Sequence, residues 1–108
     1  MDKYILNLSI EQKRKVGFHF DPILQEYVYK FPVYKYKNKP TIICKLGINE
    51  EINEVWFNVY KINGDLYTGY YNREYGKSKI YPVIDKNITK ELKKLGAKKV
   101  RGYKWQII

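Results

Sequence analysis

Apolar and polar side chains alternate on a period of two along most of this chain, and a helical stripe of apolar residues stands out only towards the end. Such a pattern commits the backbone to a sheet with a helix laid across it. "YILNLS" alternates through Tyr4, Leu6 and Leu8, and "VGFHF" through Val16, Phe18 and Phe20. Between them, Ser9 and Gln12 fit a capping box and support one turn of helix over "IEQKRK". Asp21-Pro22 then opens a turn, so residues 14–37 read as a hairpin. In its return arm, "VYKFPVYKYKNKP", Pro32 cannot donate a ladder hydrogen bond, which predicts a sheet edge or a bulge. Lys35 and Lys37 would guard that edge against pairing with another chain. The nearly continuous apolar run "TIICKLGI" predicts a central strand covered on both faces.

Asn63-Gly64, within "EVWFNVYKINGDLYTGYYNREYG", is the sharpest local signal, because a two-residue type I′ turn needs positive φ at both central positions. With that turn Tyr60 faces Tyr67 and Trp56 faces Tyr71. One face of the hairpin then carries Val55, Phe57, Val59, Leu66, Thr68 and Tyr70. The other carries Trp56, Asn58, Tyr60, Tyr67, Gly69 and Tyr71. A three-residue loop with a bulge would shift one strand by a residue and break the aromatic set apart. After a short extended "KIYPVI", Ile88, Leu92 and Leu95 form the stripe of the helix "DKNITKELKKLGAKK", with Asp85 or Asn87 as its cap and Gly96 at its C-terminal end. A final strand, "VRGYKWQII", follows. The expected fold is α+β, a single domain over residues 1–108. It has a mainly antiparallel twisted sheet of about six to eight strands in hairpins and a meander, with one C-terminal helix packed on it.

A composition that is 44% hydrophobic and 17% aromatic excludes a disordered chain. No apolar run reaches the roughly 18 residues of a membrane span, and "MDKYILNLSIEQ" lacks the apolar core of a signal peptide. A soluble, cytoplasmic protein with no membrane partner is therefore expected. The net charge is +10, which attracts phosphate backbones or acidic protein surfaces. Lysine, isoleucine, asparagine and tyrosine fill 51 of 108 positions, the bias that an AT-rich genome also imposes. That bias does not explain where the charge lies: residues 1–85 hold 13 basic and 10 acidic side chains, residues 86–108 hold 8 and one.

The residues suit binding better than catalysis. His19 is the single histidine and Cys44 the single cysteine, so neither a Cys-His nucleophile nor a histidine or multi-cysteine metal site can be assembled, and no metal or cofactor is expected. Glu50, Glu51 and Glu54 read as an exposed acidic loop. Single-strand nucleic-acid binders combine aromatic platforms with a basic groove. Trp56, Tyr60, Tyr67 and Tyr71 are the candidate stacking residues, and Lys90, Lys93, Lys94, Lys98, Lys99 and Arg101 the candidate phosphate contacts. The same aromatic face would be ordinary core if the helix covered it. The expected function is a small, basic, non-enzymatic module for single-stranded DNA or RNA. The alternatives are a phage or mobile-element protein that binds and inhibits a host protein, and a histidine-independent ribonuclease built on Tyr67, Tyr70, Tyr71, Arg73, Glu74, Tyr75 and Lys77.

Overall fold

In the computed structural model, which describes residues 3–71 and 80–100, Ser9 starts a helix as its capping pattern predicts. Its hydroxyl accepts from the Gln12 N–H at 3.1 Å, and its own N–H donates to Gln12 Oε1 at 2.8 Å. The helix, α1 (Ile10–Val16), stops at Gly17, whose φ of 114° glycine adopts without strain. The Phe18 N–H closes back on the Lys13 carbonyl, and the Phe18 ring enters the core. Val16 thus ends a helix, and the strand expected over "VGFHF" shortens to β2 (His19–Asp21).

β1 (Lys3–Ile5) precedes α1. After β2 come β3 (Glu26–Tyr36), β4 (Lys39–Asn49), β5 (Glu54–Lys61), the one-turn α2 (Thr68–Tyr71), α3 (Ile80–Leu95) and β6 (Lys98–Val100). The six strands form one antiparallel sheet in the order β2-β3-β4-β5-β1-β6. β2 to β5 are a meander, and β1 is inserted between β5 and β6.

Register decides which side chains meet the helices. Leu46 lies across from Tyr29 on one side and Phe57 on the other, and Cys44 from Phe31 and Val59. With Ile42, Ile48 and Tyr4 these residues form the core face, against which Ile84, Ile88 and Leu92 of α3 are packed. α3 begins at Ile80, so residues 80–84 of "KIYPVI", expected to be extended, are helical instead. Pro82 stands in the first turn, where a missing N–H leaves no bond unmade, and Ile80 and Tyr81 pack against the core. Asp85 and Asn87 therefore lie inside the helix and serve tertiary contacts. Asp85 accepts from the Tyr70 hydroxyl, and Asn87 Nδ2 donates to the Val33 carbonyl at 2.8 Å. Gly96, at φ 92°, closes α3 as predicted, with the Ala97 N–H on the Leu92 carbonyl.

Pro32 marks both an edge and a bulge. It pairs with Ile43 while Tyr34 pairs with Ile42, which leaves Val33 as the extra residue. β2 pairs with β3 only as far as Val28, so from residue 29 onward β3 is an edge among the described residues. β4 is paired on both sides, but among the described residues the helices cover one of its faces: Ile43, Lys45 and Gly47 point away from α3. The expectation that "TIICKLGI" is covered on both faces is corrected accordingly.

Candidate nucleic-acid interface

The face that α3 leaves open is built by strict alternation. On β5, Val55, Phe57 and Val59 turn to the core as predicted, which sends Trp56, Asn58 and Tyr60 to the open side. There they lie across from Gly47, Lys45 and Ile43. Lys30 of β3 is paired with Lys45, and Ile5 of β1 with Glu54 and Lys98, so these residues share the same face. The helix thus covers the aliphatic face and not the Trp56–Tyr60 one.

Trp56 is held in place from two directions. A Cβ at Gly47 would stand 2.5 Å from Trp56 Cζ2 and 2.8 Å from Nε1, so the indole occupies space that only glycine leaves. Nε1 donates to Glu26 Oε1 at 2.8 Å, tying β5 to β3 across β4. The ring remains partly exposed. Next to it, Lys45 Nζ sits 5.4 Å from the Tyr60 ring centroid and 3.8 Å from the Asp21 carboxylate. The Leu24 N–H holds the Asp21 carboxyl below its usual range, helped by the Ile23 N–H, Lys45 and Lys30 against the opposing effect of burial. A pocket of about 250 Å³ opens beside Tyr60, lined by Lys30, Ile43, Lys45, Lys61 and Ile62. Its chemistry is an aromatic ring and aliphatic walls under ammonium groups.

The remaining expected site residues lie elsewhere. Gly64 has φ 99°, the Gly64 N–H bonds the Lys61 carbonyl, and the Lys61 N–H bonds the Asp65 carbonyl. This is the three-residue bulged loop, so Tyr60 is bridged to Leu66 rather than to Tyr67. Tyr67 packs against the core, and the chain leaves the sheet for α2. The predicted quartet therefore shrinks to Trp56 and Tyr60; the side chain of Tyr71 lies outside the described residues. Lys90, Lys93 and Lys94 are exposed on α3, beyond the opposite face of the sheet. Lys99, across from Tyr4, belongs to that side too, whereas Lys98 shares the face of Trp56. Arg101 and the final strand expected beyond Val100 lie outside the described residues.

Of the groups weighed for chemistry, His19 is exposed on β2, and Cys44 is fully buried with burial pushing its thiol up. Glu50 pairs with the buried Lys13 at 3.0 Å, and Glu54 with Lys3 at 3.1 Å. In the tyrosine-rich group considered for RNA cleavage, Tyr70 is buried against Phe57, and Arg73, Glu74, Tyr75 and Lys77 lie outside the described residues. Sequence reasoning passed over Lys30, Lys45 and Glu26. The signal was present, since Lys45 and Gly47 alternate with Cys44 and Leu46. Comparison with protein-family models, curated proteins and solved structures gives no match.

Proposed function

We propose that the protein is a non-enzymatic module that binds single-stranded nucleic acid across the open face of its sheet. The observation that carries this reading is the preset indole of Trp56, seated at Gly47 and tied to Glu26, on a face that also bears Tyr60, Lys30 and Lys45. A ring fixed before the ligand arrives loses little freedom when a base stacks on it, and each stacked base contributes about 1–3 kcal/mol. Lys30, Lys45 and Lys98 are distributed from β3 to β6, so a strand lying across the sheet would meet cations on either side of the two rings. The lysines of α3 act in this reading through the long-range field that attracts the polyanion, not through direct contact.

The test is a fluorescence-anisotropy titration with oligo-dT, oligo-rU and duplex DNA at low and at physiological salt. Binding should favour the single strands, and Trp56→Ala or Tyr60→Ala should each weaken it by about tenfold. Replacing Lys30 and Lys45 by Gln should shallow the slope of log K against log salt by about 1.4, the share of two single-strand phosphate contacts. Replacing Lys93 and Lys94 by Gln should lower affinity less. Equal losses from the two lysine pairs, or binding to all three ligands that disappears at physiological salt, would leave the open face without this role.

A further inference from the structure

On the other side of the molecule the bulged edge of β3 and the helix α3 enclose a groove of about 630 Å³. From residue 29 onward β3 has no strand beyond it among the described residues. An edge of this kind presents backbone N–H and C=O groups to any extended chain. Asn87 of α3 donates to the Val33 carbonyl at the bulge, which fixes the helix against the strand and gives the groove a defined wall. Pro32 and Val83 offer apolar contact there, with Val83 43% exposed. Around them stand Lys35, Lys90 and Lys94, all exposed. Glu91, the one carboxylate among the described lining residues, is engaged by the Tyr29 hydroxyl and stands 4.0 Å from Lys94 Nζ.

From this combination we infer that the groove is a docking site for an acidic, extended segment of a partner protein, which pairs with the β3 edge and places its carboxylates against Lys35, Lys90 and Lys94. Charge complementarity selects an acidic partner. The choice of a peptide over a nucleic acid rests on what the groove offers: an unpaired strand edge matches another polypeptide backbone, and the aromatic rings Phe31 and Tyr34 are packed in or against the core rather than offered for stacking. Lysines that keep the edge from pairing with copies of this basic chain leave it open to a chain of opposite sign. The site is separate from the open face and does not depend on it.

The experiment uses the full chain, isotopically labelled, titrated in NMR with a short peptide alternating glutamate and valine. Three further titrants are a lysine-valine peptide, the acidic peptide with alternate backbone nitrogens methylated, and oligo-dT. The acidic peptide should shift the amides of residues 29–36 and of the facing side of α3. Replacing Lys90 and Lys94 by Glu should weaken its binding by at least about tenfold, without altering the rest of the spectrum. Loss of binding on methylation would show that the strand backbone is read and not charge alone. The inference fails if the acidic peptide does not bind, if its shifts fall elsewhere, if methylation leaves binding intact, or if oligo-dT shifts the same groove amides. Oligo-dT shifts on Trp56 and Tyr60 are a separate readout, so loss of either site is seen without the other.

Discussion

Gly47 is a residue whose substitution reports on a neighbour. A methyl group there must displace the Trp56 indole, because three ring atoms stand between 2.5 and 2.8 Å from where the Cβ would be. Gly47→Ala should therefore break the Trp56–Glu26 hydrogen bond and cost about 1–3 kcal/mol in urea unfolding. In a Trp105→Phe background, the emission of Trp56 should shift to the red. With Trp56 already replaced by Ala, adding the methyl should be neutral to within about 0.5 kcal/mol; full additivity of the two changes would show that the contact is not the reason for a glycine. A second residue-scale consequence concerns alkali. Burial, reinforced by the Glu91 carboxylate, pushes the Tyr29 phenol up to about 12. An unfolded phenol ionises near about 10, so this contribution to stability is complete below that pH and is lost as the pH rises to about 12. Tyr29→Phe has no proton to lose and should flatten that part of the stability profile; an unchanged slope would contradict the shift.

At the scale of elements, the features read correctly from the sequence are those set by a few neighbouring residues. The capping box at Ser9, the stop at Gly96 and the bulge at Pro32 each follow from local backbone chemistry, whereas Gly17, expected within a strand, ends α1. Ser9→Ala should cost about 0.5–2 kcal/mol, and Ser9→Asp, which restores an acceptor to the Gln12 N–H, should recover most of it in the same denaturation assay. "KIYPVI" and the Asn63-Gly64 turn depart from their expected form because tertiary contacts decide them. "KIYPVI" carries a proline that reads as a break in isolation, yet Ile80, Tyr81 and Ile84 all pack on the core, and that burial outweighs the local bias. Asn63-Gly64 is compatible with a two-residue and a three-residue loop, and a shift of one residue sends Tyr67 to the core side. The open face was only half legible for the same reason: alternation gave Trp56 and Tyr60, but their neighbours Lys30, Lys45 and Glu26 come from strands whose pairing no single stretch of sequence reveals.

Over the whole molecule, the lysines of the open face and those of α3 lie on two chemically different surfaces on opposite sides of the sheet. The open face mixes lysines with rings, while the α3 side sets lysines around a strand edge with no partner strand among the described residues. The same sheet has a further property that lies in its strand order. β1 is the first of these strands in chain order, but its partners are β5 and β6, which come far later. Hairpin closures from β2 to β5 involve short loops, whereas seating β1 requires a long one. Truncations in the meander core, such as Val59→Ala, should therefore slow refolding, and Leu6→Ala, beside β1, should chiefly speed unfolding; the reverse pattern in stopped-flow kinetics would overturn this order. Until β6 arrives, β1 has β5 as its one strand neighbour in the described sheet, so in a nascent chain halted within α3 the border of that sheet falls on β1 instead of β6, and the first of these strands to be made is locked in place by the last.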